Sequence, residues 1–288
     1  MPLIHFVHGE KGGVGKSFFA RLLVEYCLDK KLDFTLVETD RSNPDVGDYY
    51  PEICERVFFS EDEKRSYDVD LIFDLSEVKP VIVNLPAQVE VALTDWIGRN
   101  GLADELSFND NEGQNDLKDD EGVLIYKWFV CTGEPDSIKL FKESVTSLDG
   151  KIPHVLVKNM LYQLNWERLN QEREDEEILE FPSFVKEHNV KVIELPKLHK
   201  RDADIIVFDK LRFSQAVISS SVSRLARRRL SHYLEWVYEA IESTGRMTPE
   251  LFIKHRQTQS NKRNKATKSS RNSSSEGQEK SGNEQNVA

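Results

Sequence analysis

The chain has 288 residues, 39% hydrophobic and 31% charged, with a formal net charge of −11. It is long enough for one large α/β domain with extensions, and too acidic overall to read as a generic nucleic-acid coat. Cys27, Cys54 and Cys131 are scattered without a CxxC pair, which excludes a disulfide framework and points to a reducing compartment. Met1 to Val7 lacks the basic start of a signal peptide, and no apolar stretch approaches the ~18 residues of a membrane span. A cytoplasmic protein with no membrane partner is the expectation.

The chain opens on an apolar run, Leu3 to Val7, whose Ile4–Val7 reads as a buried strand. Gly9-Glu10-Lys11-Gly12-Gly13-Val14-Gly15-Lys16-Ser17 follows. Lys16–Lys30 then carries Phe18, Leu22, Val24 and Leu28 at the spacing of a helix packed on a sheet. Strand, glycine loop and helix is the context of a phosphate-binding loop. Glycines let backbone N–H groups converge on an anion without Cβ obstruction, and the helix start adds unpaired amides and its positive dipole end. The expected nucleotide contacts are Gly12, Gly13, Val14, Gly15, Lys16, Ser17 and Phe18. Lys16 would reach the β- and γ-phosphates and the Ser17 hydroxyl would hold Mg²⁺.

Further strands are expected over Phe34–Glu38, Val81–Asn84, Lys127–Val130, His154–Lys158 and Lys191–Glu194. Helices are expected over Val89–Arg99, Pro135–Ser147, Asn165–Leu179 and Pro182–Glu187. This alternation predicts an α/β fold of the P-loop NTPase type, a mostly parallel sheet with helices on both faces. Asp104–Glu121 is acidic and without periodicity, and reads as a mobile insertion about residues 104–121. Ser214–Ser243 reads as one long helix with Val222, Leu225, Ala226, Leu230, Tyr233, Val237 and Ile241 facing the core. Arg224, Arg227 and Arg228 lie off that stripe. Residues 1–245 are thus expected to form the ATPase domain, 246–256 a short helical extension and 257–288 a disordered basic and polar tail.

The glycine loop departs from the ordinary consensus, which places Gly where this chain has Glu10. It carries instead a second lysine, Lys11, directly before Gly12-Gly13. The string Lys-Gly-Gly-Val-Gly-Lys-Ser resembles the deviant phosphate loop of the ParA/MinD family of ATPases. That resemblance implies ATP and Mg²⁺ as ligands, and a nucleotide-sandwich homodimer in which Lys11 reaches the partner's phosphates. Leu36-Val37-Glu38-Thr39-Asp40 resembles the family's first switch, with Glu38 in place of the first aspartate and Asp40 matching the carboxylate associated with water positioning and metal. Val81 to Ala87 resembles the second switch, with Asn84 where the pattern has aspartate. An asparagine can hold a metal-bound water through its amide oxygen but brings no charge. Lys11, Lys16 and Asp40 are the candidate catalytic residues; Ser17, Asp40 and, through water, Asn84 are the candidate metal set. By the same resemblance Asn159 would read the adenine edge and Pro196 would lie beside the base.

The resemblance implies an ATP-dependent dimerising switch that positions cargo, in plasmid partition or in mobilisation with a partition or conjugation partner protein. Asn84 leaves slow hydrolysis, or binding without hydrolysis, open. The alternative is a nucleotide-regulated protein that binds DNA without sequence preference through Arg224, Arg227 and Arg228, joined by Lys262, Arg263, Lys265 and Lys268 of the tail. A solvated helix face explains the same arginines. The tail lacks the apolar face of a membrane-binding helix. His5 and His8 flank the loop but read as packed histidines, since no metal-ligand spacing accompanies them.

Overall fold

In the computed structural model, residues 1–9, 11–60, 65, 67–106, 122–171 and 180–260 are described. Seven parallel strands form one sheet: β1 (Leu3–His8), β2 (Thr35–Glu38), β3 (Cys54–Arg56), β4 (Val81–Asn84), β5 (Leu124–Cys131), β6 (His154–Asn159) and β7 (Lys191–Leu195), in the order β3-β2-β4-β1-β5-β6-β7. The central strands β1, β4 and β5 are buried at every position, as a sheet covered on both faces requires. Alternate residues serve opposite faces. Leu3 and Val7 join the core beneath α1 (Lys16–Asp29), whereas Ile4 and Phe6 join Leu93 and Trp96 of α4 (Glu90–Arg99) on the other side. A third cluster packs Phe129 and Leu156 against Phe141 of α5 (Pro135–Thr146).

Three elements beyond the sequence reading lie between β2 and β4: α2 (Asp45–Tyr49), β3 and α3 (Asp70–Val78). The first two are shorter than any periodicity can register. After β6 come α6 (Gln163–Gln171), α7 (Phe181–Glu187) and a further unforeseen helix, α8 (Lys200–Phe208). β5 begins three residues earlier than expected, because Lys127, read as a strand edge, is completely buried in mid-strand.

The long helix expected over Ser214–Ser243 is two helices, α9 (Phe213–Ile218) and α10 (Arg224–Ser243). Serines between them take local hydrogen bonds: Ser219 Oγ accepts from the Ser221 amide, and Ser223 caps α10 by accepting from Ala226 N. Leu225, expected in the core, is 68% exposed. At ~100° per residue it sits off the stripe of Ala226, Leu230, Tyr233, Val237 and Ile241, which Leu234 and Tyr238 widen. A last helix, α11, covers 249–260 and runs past residue 256. Phe252, His255 and Thr258 are buried along it, and His255 Nε2 lies 2.8 Å from the Ser76 carbonyl. Glu10, most of the acidic segment (107–121), residues 172–179 and the tail from 261 lie outside the described residues.

Candidate nucleotide site

The strand order brings the ends of β2, β4 and β1 side by side, with Val7 and Glu38 both Cα partners of Asn84. The glycine loop and the two segments that resemble switches therefore leave one edge of the sheet, outside the carboxyl ends of the strands where α/β sheets take ligands. Gly15, the N-cap of α1, has φ 103, and a Cβ there would meet Asn159 Nδ2 at 2.8 Å. Only glycine fits both constraints. An added Cβ at Gly12 or Gly13 meets nothing within 4 Å, so the outer side of the loop is open. The buried Lys16 arches over the loop and donates to the Lys11 carbonyl at 3.0 Å. Its ammonium thus lies over the backbone that would cradle phosphate.

The loop is braced from β6. Asn159 Nδ2 donates to the Val14 carbonyl at 2.8 Å, its Oδ1 accepts from Leu161 N at 3.0 Å, and the Tyr162 hydroxyl donates to the Gly13 carbonyl at 3.3 Å. Both ends of the Asn159 amide are committed to the loop and the turn behind it, so contact with an adenine edge requires exchanging those bonds. Phe18 packs edge-on to Phe213 at 5.5 Å and lies 6.5 Å from Tyr233, whose hydroxyl donates to the Pro196 carbonyl at 3.1 Å. Phe18 and Pro196 therefore meet through one aromatic cluster. Lys11 turns toward its own chain: its Nζ is 3.0 Å from Asp136 Oδ2 and 3.8 Å from Glu134 Oε2.

The ends of β2 and β4 are joined by side-chain hydrogen bonds. Glu38 is completely buried; its Oε1 accepts from Asp40 N at 3.0 Å and Asn84 Nδ2 at 2.9 Å, and its Oε2 from the amides of Val46 and Gly47 at 3.1 Å each. Burial raises its carboxyl above the ordinary range, and the donors from Asp40, Asn84 and Gly47 offset only part of that rise. Thr39 Oγ1 donates to the Asn84 carbonyl at 2.7 Å. Asp40 Oδ1 accepts from Ser42 N and Asn43 N at 2.9 Å each. The side-chain oxygen of Asn84 is buried without a hydrogen-bond partner. No group of three His, Cys, Asp or Glu that could hold a metal occurs among the described residues.

Next to the segment between β4 and α4 lies a buried charge cluster that sequence reasoning missed. Lys127 Nζ donates to Glu90 Oε1 at 2.8 Å, and Ser144 and Ser147 donate to the same carboxylate at 3.2 and 3.3 Å. His8 Nε2 lies 3.3 Å from Glu90 Oε2 without a hydrogen bond, and His154 Nε2 is 3.0 Å from Ser144 Oγ. Burial, the largest single influence, opposes ionisation of Glu90, but its neighbours together, Lys127 foremost, outweigh it and hold the carboxyl at about 2. Burial keeps His8 and His154 neutral, each lowered to about 3, so Lys127 supplies the balancing charge. The available signal was a lysine in the middle of the apolar run Leu124–Cys131.

On α10, Arg224 and Arg228 are exposed and Arg227 half-buried, and none pairs with an acid among the described residues. Arg229, by contrast, grips the buried Asp202 of α8 through bonds of 2.6 and 2.7 Å. Lys262, Arg263, Lys265 and Lys268 lie outside the described residues. No helix among the described residues is long and apolar enough to cross a membrane.

No protein-family model matches the chain. It is 28% identical over 156 residues to Protein MobD of Acidithiobacillus ferrooxidans, covering 53% of this chain and 62% of that protein. It is 23% identical over 256 residues to Protein TraL of Escherichia coli, covering 85% of this chain and 99% of that one. Among solved structures, a plasmid partition protein from Borrelia burgdorferi matches with a TM-score of 0.38 and 16% identity, over 64% of this chain and 96% of its own. The cell division ATPase MinD of Pyrococcus furiosus matches with a TM-score of 0.41 and 12% identity, over 82% and 99%. In its two-lysine glycine loop set on an all-parallel sheet, the chain is similar to the ATPases of the ParA/MinD type.

Proposed function

We propose that this chain binds ATP with Mg²⁺ and acts as a dimerising switch in plasmid partition or mobilisation. The observation that carries the proposal is the pair of lysines around the open glycines, Lys16 arched over the loop and Lys11 at its mouth. Bound Mg²⁺ would supply charge neutralisation between the phosphates. The loop amides and Lys16 would bind the phosphates, and Ser17 would offer its hydroxyl to the metal. Asp40, at the end of β2, would orient the attacking water. Lys11 would leave Asp136 and Glu134 and reach the phosphates of a second copy. With Asn84 bringing no charge, hydrolysis would be slow or absent. Binding of a fluorescent ATP analogue tests the site: Lys16→Ala should weaken it by about 30-fold or more, the scale of truncating one partner of a buried, hydrogen-bonded charge pair. Equal binding by Lys16→Ala would remove the proposal.

A second reading, regulated binding of DNA without sequence preference, is favoured by the three arginines of α10 that pair with no acid among the described residues. A dimer would present them twice, so ATP would gate retention by avidity. Replacing Arg224, Arg227 and Arg228 by alanine should lower the salt slope of ATP-dependent DNA retention by about 0.9 for each phosphate these arginines neutralise. An unchanged slope assigns those arginines to solubility alone.

A further inference from the structure

Glu38 and Asn84 end neighbouring strands and are Cα partners in the β2–β4 ladder. Each stands where the family pattern has aspartate, and both are buried. Four N–H groups converge on the Glu38 carboxylate: two from the amides that open α2, one from Asp40 and one from the Asn84 side chain. Such a set satisfies both oxygens of a buried anion. An aspartate at 84 would turn an oxygen toward Glu38 Oε1 where a donor now sits at 2.9 Å, placing two buried carboxylates in contact. An aspartate at 38 would be one methylene shorter and could not span Asp40, Asn84 and the start of α2 together.

We propose that Glu38 and Asn84 are one compensated pair of positioning residues that ties the first switch to the second. Asn84 is the donor that Glu38 requires, and Glu38 is the acceptor that orders the backbone carrying Asp40. The amide orientation follows. With Nδ2 on Glu38, the buried Oδ1 faces the other way, the one polar atom of the pair left to accept a donor when the site fills. The coupling of the two residues stands on geometry alone; its consequence for Asp40 rests on the nucleotide reading above.

Hydrogen exchange of the segment 40–47 in nucleotide-free protein tests the pair, because the amides of Asp40, Val46 and Gly47 all depend on Glu38. Asn84→Asp and Glu38→Gln should each speed exchange there by about tenfold or more, and the double variant by clearly less than the product of the two. Asn84→Ala, which removes the donor without adding a charge, should give a smaller rise and serves if Asn84→Asp does not fold. Unchanged exchange in Asn84→Ala, or single effects that simply multiply, would overturn the proposal. ATP–Mg²⁺ affinity is read separately: Asn84→Asp should bind more weakly than the parent despite restoring the family's aspartate, and tighter binding would count against the pair. A parent protein that binds no ATP would remove the nucleotide reading while the exchange cycle still decides the coupling.

Discussion

The Lys11 ammonium and the Asp136 carboxylate lie 3.0 Å apart within one chain, joining the phosphate loop to the first turn of α5. The lysine expected to serve a partner is thus held at home by an exposed pair. Exposed pairs are weak, so this hold would restrain the proposed dimer without forbidding it. Asp136→Ala should strengthen the ATP-bound dimer by about two- to fivefold, measured by sedimentation, and the change should fade in high salt.

Gly15 and Gly12 should respond differently to the same substitution. Gly15→Ala forces a side chain into a left-handed conformation and against Asn159, and should lower stability by about 1–3 kcal/mol and impair nucleotide binding. Gly12→Ala meets open space and should stay within about 0.5 kcal/mol of the parent. Chemical denaturation of the two variants checks the contrast.

Acid should destabilise the fold from mildly acidic pH downward. Burial lowers His5, His8 and His154 from 6.5 to about 3 each. The unfolded chain takes up those protons below 6.5 and the folded chain does not until about 3, so their stabilisation is complete above 6.5 and is lost between. The slope is about 1.4 kcal/mol per pH unit for each histidine. Glu90, lowered from 4.5 to about 2, adds a further loss as pH falls through that window. Denaturation midpoints that stay level from pH 7 to 5 would contradict this.

Breaking the buried Lys127–Glu90 pair should cost more than deleting it. Lys127→Met leaves the Glu90 carboxylate without its cation and should destabilise by about 3–5 kcal/mol. Adding Glu90→Gln should return a large part of that loss. Unfolding curves of the single and double variants provide the comparison.

The loop, the strand order's general class and the apolar stripe of α10 were legible because they rest on local spacing: glycines at fixed intervals, buried strands, a 3.6-residue period. What the sequence concealed depends on partners far along the chain. Glu38 meets Asn84, Lys127 meets Glu90, and Asn159 meets Val14 across 145 positions, and no spacing announces those contacts. Asn84 looked like an aspartate that had lost its charge until its neighbour's carboxylate was seen beside it. Helix α3, nine residues with Ile72 inward and Leu71 exposed, offered too little contrast to stand out from the loop around it.

A nucleotide-controlled dimer that depends on Lys11 is read out by the mass in solution. Light scattering should give a monomer with ADP and a dimer with ATP and Mg²⁺, while Lys11→Ala binds ATP and remains a monomer. A mass independent of nucleotide, or a Lys11→Ala dimer as stable as the parent's, would contradict the account.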